Sequence, residues 1–303
     1  MNPVEDIKIK EGETVKNLVE QMYNSGGFMA KNLAVGAEII REFTREKDCL
    51  KFLSFPADII STGTRGIIKD MIKNKLFDVV ITTCGTLDHD LARSFKRYYH
   101  GTFDLDDEEL YKKNMHRLGN VVIPMDSYGT IIEEKIKEFL GELIKTKKEI
   151  STHELCWELG KRIDNEESIL YWAYKNQIPI IVPGITDGAV GYNIWELTQN
   201  TDFKIDLLKD ETLISDLIWN SKKRAALILG GGISKHHVIW WNQFKDGLDY
   251  AVYITTAQEY DGSLSGAKPR EAISWGKINE KAKYVTIYGD ITIALPLIYA
   301  ALF

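Results

Sequence analysis

Residues 250–278, YAVYITTAQEYDGSLSGAKPREAISWGKI, carry the pattern on which the fold of this chain turns. The run 250–254 is aromatic and β-branched without a charge, as expected of a strand covered on both faces. A loop rich in glycine, serine and carboxylates follows. Pro269 suits a first helical position and Gly276 a position just past a last turn, so the pair predicts about two turns of helix. Glu271 and Trp275, four apart, share a face of that helix, and Lys277 emerges beside the indole. The plain reading is a buried strand and a polar connector. The sharper one is a carboxylate, an aromatic wall and an amine gathered for a cation or for amine chemistry.

The same strand-then-helix grammar extends outward along the chain. Strands are expected at 51–55, 78–83, 120–124, 178–183, 225–229, 250–255 and 284–288, most of them short continuous apolar runs with helical patterns between many of them. This predicts an α/β fold with a doubly wound, largely parallel sheet and helices on both faces. Right-handed crossovers then place the strand C-termini, and any ligands, along one edge. Residues 12–47 predict two helices, the first capped by Thr14, with a turn at Ser25, Gly26 and Gly27. No boundary interrupts the pattern, so residues 1–303 read as a single domain with the 1–47 helical segment packed on it.

The chain has 303 residues, 44% of them hydrophobic, enough for a large core. A net charge of −6 gives no support for a nucleic-acid surface and fits poorly with an anionic membrane. Cys49, Cys84 and Cys156 are odd in number, far apart and without a CxxC pair, which argues against a disulfide framework or zinc knuckle. The N-terminal residues are charged where a secretory signal needs an apolar stretch, and no apolar run approaches the ~20 residues of a membrane span. A cytoplasmic protein is expected.

Several strands end in small or polar residues: Thr83, Cys84 and Gly85; Asp187; Gly230, Gly231 and Gly232; Thr256 and Ala257; and Asp290. Backbone amides at such ends can approach a phosphate, and an aspartate there binds ribose hydroxyls or caps a helix. The triple glycine is neither GxGxxG nor a Walker motif. His236 and His237, adjacent on a helix, point about 100° apart and so do not readily share one metal ion; no metal is expected. Asp88, His89 and Asp90 form a second polar cluster, read either as helix caps or as site residues. Trp240, Trp241 and Trp219 read as core or subunit-interface residues. Desolvation by Trp275 favours a neutral, nucleophilic Lys277, whereas Glu271 and the end of the short helix favour the ammonium.

GGGISKHH at 230–237, the whole of 250–277 and YGD at 288–290 resemble deoxyhypusine synthase. So do STGTRG at 61–66, DVVITTCG at 78–85, RLGNVVIP at 117–124, ILYWAYKNQIPI at 169–180 and TDG at 186–188, in order over nearly the whole chain. TTCGTLDHDLAR at 82–93 looks like the archaeal branch. The resemblance implies a Rossmann-like homotetramer with NAD at subunit interfaces. It implies oxidation of spermidine, passage of its aminobutyl group to a lysine, release of 1,3-diaminopropane, and transfer to a lysine of translation factor 5A precursor. Lys277 takes the nucleophile position, His236 orients substrate or shuttles protons, and Glu271 and Trp275 line the polyamine pocket with Asp88, His89, Asp261, Gly262 and Ser263. NAD-contacting positions fall on Ala57, Asp58, Ser61, Thr83, Cys84, Gly85, Asp187, Gly231, Thr256, Ala257, Asp290 and Ile291.

Three positions depart from the eukaryotic pattern: His89, Tyr192 and Leu264 stand where carboxylates are expected. Each carboxylate lost removes a charge-assisted partner of about 1.5–3 kcal/mol for a polyamine. Either Asp88, Asp261 and Glu271 take over or the polyamine differs. Aminobutyl transfer to a free polyamine, as in homospermidine synthase, and a non-catalytic NAD- or polyamine-binding protein are the alternatives on the same scaffold.

Overall fold

A computed structural model describes residues 1–303. Helices α1 (Val15–Asn24) and α2 (Phe28–Arg45) lead into β1 (Cys49–Ser54), α3 (Thr64–Lys73), β2 (Val79–Ile81) and α4 (Cys84–Phe95). Next come β3 (Tyr99–His100), α5 (Asp107–Lys112), β4 (Met115–Leu118), β5 (Val121–Pro124), α6 (Gly129–Thr146) and β6 (Glu149–Ile150). They are followed by α7 (Thr152–Ile163), α8 (Ile169–Asn176), β7 (Ile180–Ile181), α9 (Ala189–Thr198), β8 (Lys204–Ile205) and α10 (Leu207–Asn220). The last part is β9 (Lys223–Leu229), α11 (Gly232–Asn242), β10 (Leu248–Thr255), α12 (Pro269–Ser274), β11 (Ile278–Tyr288) and α13 (Ile291–Ala301).

The main sheet has six strands in the order β11-β10-β9-β1-β2-β7, and helices flank it. The β1–β2, β1–β9, β9–β10 and β10–β11 pairs are all parallel. Successive strands therefore grow outward on both sides of β1, the doubly wound arrangement expected. Two expected strands differ in detail. The 120–124 strand forms as β5 but pairs antiparallel with β3 and β4 in a separate three-stranded sheet. Ile123 is its one buried side chain, so it lacks the two covered faces of a central parallel strand. The 178–183 strand shrinks to Ile180–Ile181, because Pro179 and Pro183 on either side have no N–H for the ladder.

The chain divides into two compact units: Met1–Phe55, Leu76–Ile81 and Ile214–Phe303 make one, Pro56–Lys75 and Thr82–Leu213 the other. In the first, Thr14 caps α1 by accepting from the Asn17 N–H at 3.2 Å. Helix α2 buries Leu33, Ala37, Ile40 and Phe43, and Gly36 lets it approach Val252 and Ile287 of the sheet closely. In the second unit a capping box of Ser151 and Glu154 starts α7. Gly160 of α7 faces α8 so closely that a Cβ would lie 2.0 Å from the Leu170 carbonyl oxygen. Backbone cannot yield as a side-chain tip can. Gly160→Ala is expected to cost about 1–3 kcal/mol by overpacking, read as a lower midpoint in a urea titration followed by far-UV circular dichroism.

Candidate active site

The order of strands changes direction between β1 and β9, and open α/β sheets take ligands beyond the carboxyl ends of strands at such a point. Beyond β9 lie Gly230 and Gly232, with φ of +70° and +66°, a conformation that favours glycine. No side chain caps the N-terminus of α11, and a Cβ at Gly232 would meet open space. First-turn amides and open space together fit an anionic group such as a pyrophosphate. Gly231 has another task. A Cβ there would come within 2.2 Å of Ser265 Oγ, so this glycine lets the loop after β10 pack against the turn.

That loop leads to α12, whose end determines where Lys277 stands. Pro269 occupies the first helical turn and Gly276, at φ +67°, follows the C-cap Trp275. The Gly276 N–H donates to the Ile273 carbonyl and the Lys277 N–H to the Ala272 carbonyl, both at 2.9 Å. These two bonds are a Schellman motif. The Lys277 carbonyl also accepts from the Leu248 N–H at 3.1 Å, which ties the residue to the start of β10.

The Lys277 side chain is nearly buried, 9% exposed, with Nζ 5.2 Å from the Trp275 ring centre and 5.9 Å from that of Trp240. His236 stacks on Trp240 with ring centres 5.6 Å apart and planes at 24°. Burial, and then the charge of Lys277, lower the His236 pKa, so the imidazole is neutral at pH 7. Trp240 was read from the sequence as core or interface; it is not core but an exposed wall beside Lys277, four residues along α11 from His236. Below them is a cavity of about 40 Å³ shared by Lys277, Trp275, Glu271, Tyr253, Leu264 and Lys235. Glu271 reaches it from the exposed side of α12. Asp261, Gly262 and Ser263 form an exposed turn in the loop, where the Ser263 N–H donates to Asp261 Oδ1 at 2.6 Å and, with the serine side chain, holds that carboxyl below its usual range.

The model of the deoxyhypusine synthase family matches residues 17–302. The chain belongs to the deoxyhypusine synthase family. The probable deoxyhypusine synthase of Picrophilus torridus is 60% identical over 299 residues, covering 98% of this chain and 96% of the relative. That of Sulfolobus acidocaldarius is 52% identical over 302 residues, covering 99% and 97%. A solved structure from Entamoeba histolytica, 22% identical, superposes with a TM-score of 0.68 over 98% of this chain and 96% of that one, a likeness of fold. Deoxyhypusine synthases are transferases, and the aromatic slot around Lys277 lies in a family member that has the whole scaffold.

The dinucleotide positions implied by the deoxyhypusine synthase likeness divide between the two units. In the first, Thr256 is exposed, the Ala257 N–H donates to Thr255 Oγ1 at 3.0 Å, and Asp290 caps α13, which starts at Ile291, by accepting from the Thr292 N–H at 2.7 Å. In the second, Gly85 lies where a Cβ would be 2.8 Å from that of Ala57, Ser61 Oγ donates to the Asp58 carbonyl at 2.7 Å, and Asp187 is exposed. Thr83 stands at the N-cap of α4. Cys84 is fully buried and its thiol is pushed up by burial and then by Asp88, so it is no nucleophile.

Asp88 and His89 are both buried in the second unit. Asp88 accepts from the Ala189 and Val190 N–H groups at 2.9 and 2.7 Å and from the Tyr128 hydroxyl at 2.8 Å, which makes it the anchor of α9. Burial raises its pKa, against those hydrogen bonds. His89 Nδ1 lies 3.0 Å from the Tyr98 hydroxyl and its ring 5.3 Å from that of Tyr128. Burial, then the Arg93 charge, push its pKa down to about 4. Between about pH 6.5 and 4 the unfolded chain holds a proton that native His89 does not, so stability falls as pH drops through that window. The loss from this one group is about 3 kcal/mol. Urea midpoints at pH 7 and 4.5 are expected to differ less in His89→Gln than in the unmodified protein.

No cluster of three or more His, Cys, Asp or Glu side chains is placed to hold a metal ion, and no helix is long and apolar enough to cross a membrane. Sequence reasoning did not name Lys235, Tyr253 or Trp240 as site residues. Only the spacing of Trp240 from His236 pointed to any of them.

Proposed function

We propose that this chain transfers the aminobutyl group of spermidine, through an imine on Lys277, to a lysine of translation factor 5A precursor, with NAD as cofactor. The observation that carries this reading is a nearly buried lysine set between two indoles by a Schellman motif, in a chain that belongs to the deoxyhypusine synthase family. Bound NAD supplies hydride acceptance from the carbon next to a polyamine nitrogen and later hydride return. The glycine turn before α11 and the hydroxyls and carboxylate at Thr256 and Asp290 are suited to its phosphates and ribose. Lys277 attacks the oxidised carbon, 1,3-diaminopropane leaves, and the acceptor lysine then displaces Lys277. The neutral His236 imidazole takes or returns the proton that each amine exchange requires. Trp275 and Trp240 cover the aliphatic chain, and Glu271 holds an ammonium.

A free polyamine as acceptor is the second reading. His89, Tyr192 and Leu264 bring no carboxylate to positions where the family resemblance implies one, so the amine pocket departs from the pattern on which the first reading rests. The test is NADH absorbance at 340 nm with spermidine and NAD⁺, followed by product analysis with the factor 5A precursor or putrescine as acceptor. Spermidine-dependent absorbance with transfer to the protein supports the proposal; transfer to putrescine alone moves it to the second reading, and no absorbance refutes both. Exposed Trp195, Trp219, Ile293 and Phe303 are suited to burial between subunits, which supports the homotetramer of this reading; a cytoplasmic location belongs to the same proposal. Light scattering at the monomer mass would remove that part.

A further inference from the structure

Two features of α11, four residues apart, close on the same piece of chain. The Gly231 backbone packs against Ser265, and Lys235 Nζ donates to the Leu264 and Ala267 carbonyls at 2.7 Å each. The Lys235 side chain is 1% exposed, with Nζ 4.5 Å from the ring centre of Tyr253. No carboxylate is in ion-pair contact with it; Glu271 acts on it only through its charge. Burying an ammonium this way is costly, and a Met or Leu would fill the space without that cost. What the ammonium does that they cannot is draw two carbonyl oxygens together, as a bound cation does. The clamped residues end two positions before Pro269, where α12 begins, and the far end of α12 sets Lys277.

We propose that Lys235 is a positioning residue whose ammonium clamps residues 264–267 and thereby sets α12, with Glu271 and Lys277, against the shared cavity. This rests on the reading of Lys277 given above. Lys235 is not the base, since in the clamp it is an ammonium, with two of its three N–H groups on the carbonyls and the Tyr253 ring beside it. Burial lowers its pKa to about 8, with Glu271 opposing; Lys268 and Lys277 also line the cavity, as does Tyr253, whose buried hydroxyl has no hydrogen-bond partner. The clamp is thus charged at neutral pH and loses its charge-assisted strength as pH rises through about 8.

The experiment is amide hydrogen exchange by mass spectrometry on the unmodified protein and Lys235→Met, with strands β1 and β9 as internal reference. At pH 7, peptides covering 258–268 are expected to exchange at least tenfold faster in the variant. In the unmodified protein, exchange there relative to the reference is expected to rise from pH 7 to 9.5, and in the variant to stay level. Borohydride-trapped adduct on Lys277 is expected to form about 100-fold more slowly, with the spermidine KM changed less than threefold. Unchanged exchange in Lys235→Met overturns the proposal, and so does an unchanged trapping rate. If Lys235→Met does not fold, the pH series on the unmodified protein decides, and a level series overturns it. Failure of trapping in the unmodified protein removes the function proposed for Lys277, while the exchange arm still judges the clamp.

Discussion

Lys277→Ala is expected to lower aminobutyl transfer by at least about a thousandfold while leaving NAD affinity within about threefold. The size of the effect follows from what the neighbouring amines are doing. Lys235 Nζ is engaged by two carbonyls, and Lys268 Nζ is paired with Glu259 at 2.7 Å. Neither is free to replace the lost nucleophile. Lys277→Arg is expected to be as inactive, because a guanidinium stays charged and forms no imine. NAD affinity is expected to persist because the glycine turn and the α13 cap do not depend on the Lys277 side chain. Incubation with labelled spermidine and NAD⁺, borohydride reduction and peptide mapping give the answer directly. An adduct on any other lysine of the variant would refute the assignment.

The largest loss of stability is expected at Asp90, inside the second unit. Its carboxylate is fully buried and accepts from Arg65 Nε at 2.7 Å, Ser168 Oγ at 2.6 Å, and the Ile169 and Leu170 N–H groups at 3.0 and 2.9 Å. One side chain thus satisfies the start of α8 and neutralises a guanidinium that is itself 6% exposed. Asp90→Ala leaves Arg65 buried with only the Asp90 carbonyl and the Ser94 hydroxyl as partners. Removing one member of a buried pair costs about 3–5 kcal/mol. A urea titration is expected to show that loss. The double variant Arg65→Met with Asp90→Leu is expected to recover part of it, since no unpaired charge remains. A single-variant loss below about 1 kcal/mol would mean that the pair is solvated and the argument from burial wrong.

Much of this was legible because its causes are local. A parallel strand covered on both faces has to be apolar without alternation, so β1, β2, β9 and β10 stand out as nearly continuous runs. Pro269 and Gly276 bracket α12 because ring closure and a positive φ are properties of single residues. The antiparallel pairing of β5 was not legible, since a short strand does not encode the direction of its partner. From the sequence, Cys84 read as an implied dinucleotide contact and Asp88 as a helix cap or a site residue; only packing reveals that both are buried and that Asp88 is occupied by the start of α9.

The sequence by itself determined the fold class, the family and the lysine at the end of the 250–278 stretch, because periodicity and motif spacing are carried by neighbours along the chain. The tertiary structure alone decided what surrounds that lysine. Trp240 and Lys235 occupy ordinary positions on a helix, and periodicity states which face a residue lies on, not what it meets there. The indole beside Lys277 and the two carbonyls gathered by Lys235 come from separate segments that only packing brings together, and a side chain's chemistry in a site is set by those non-local partners.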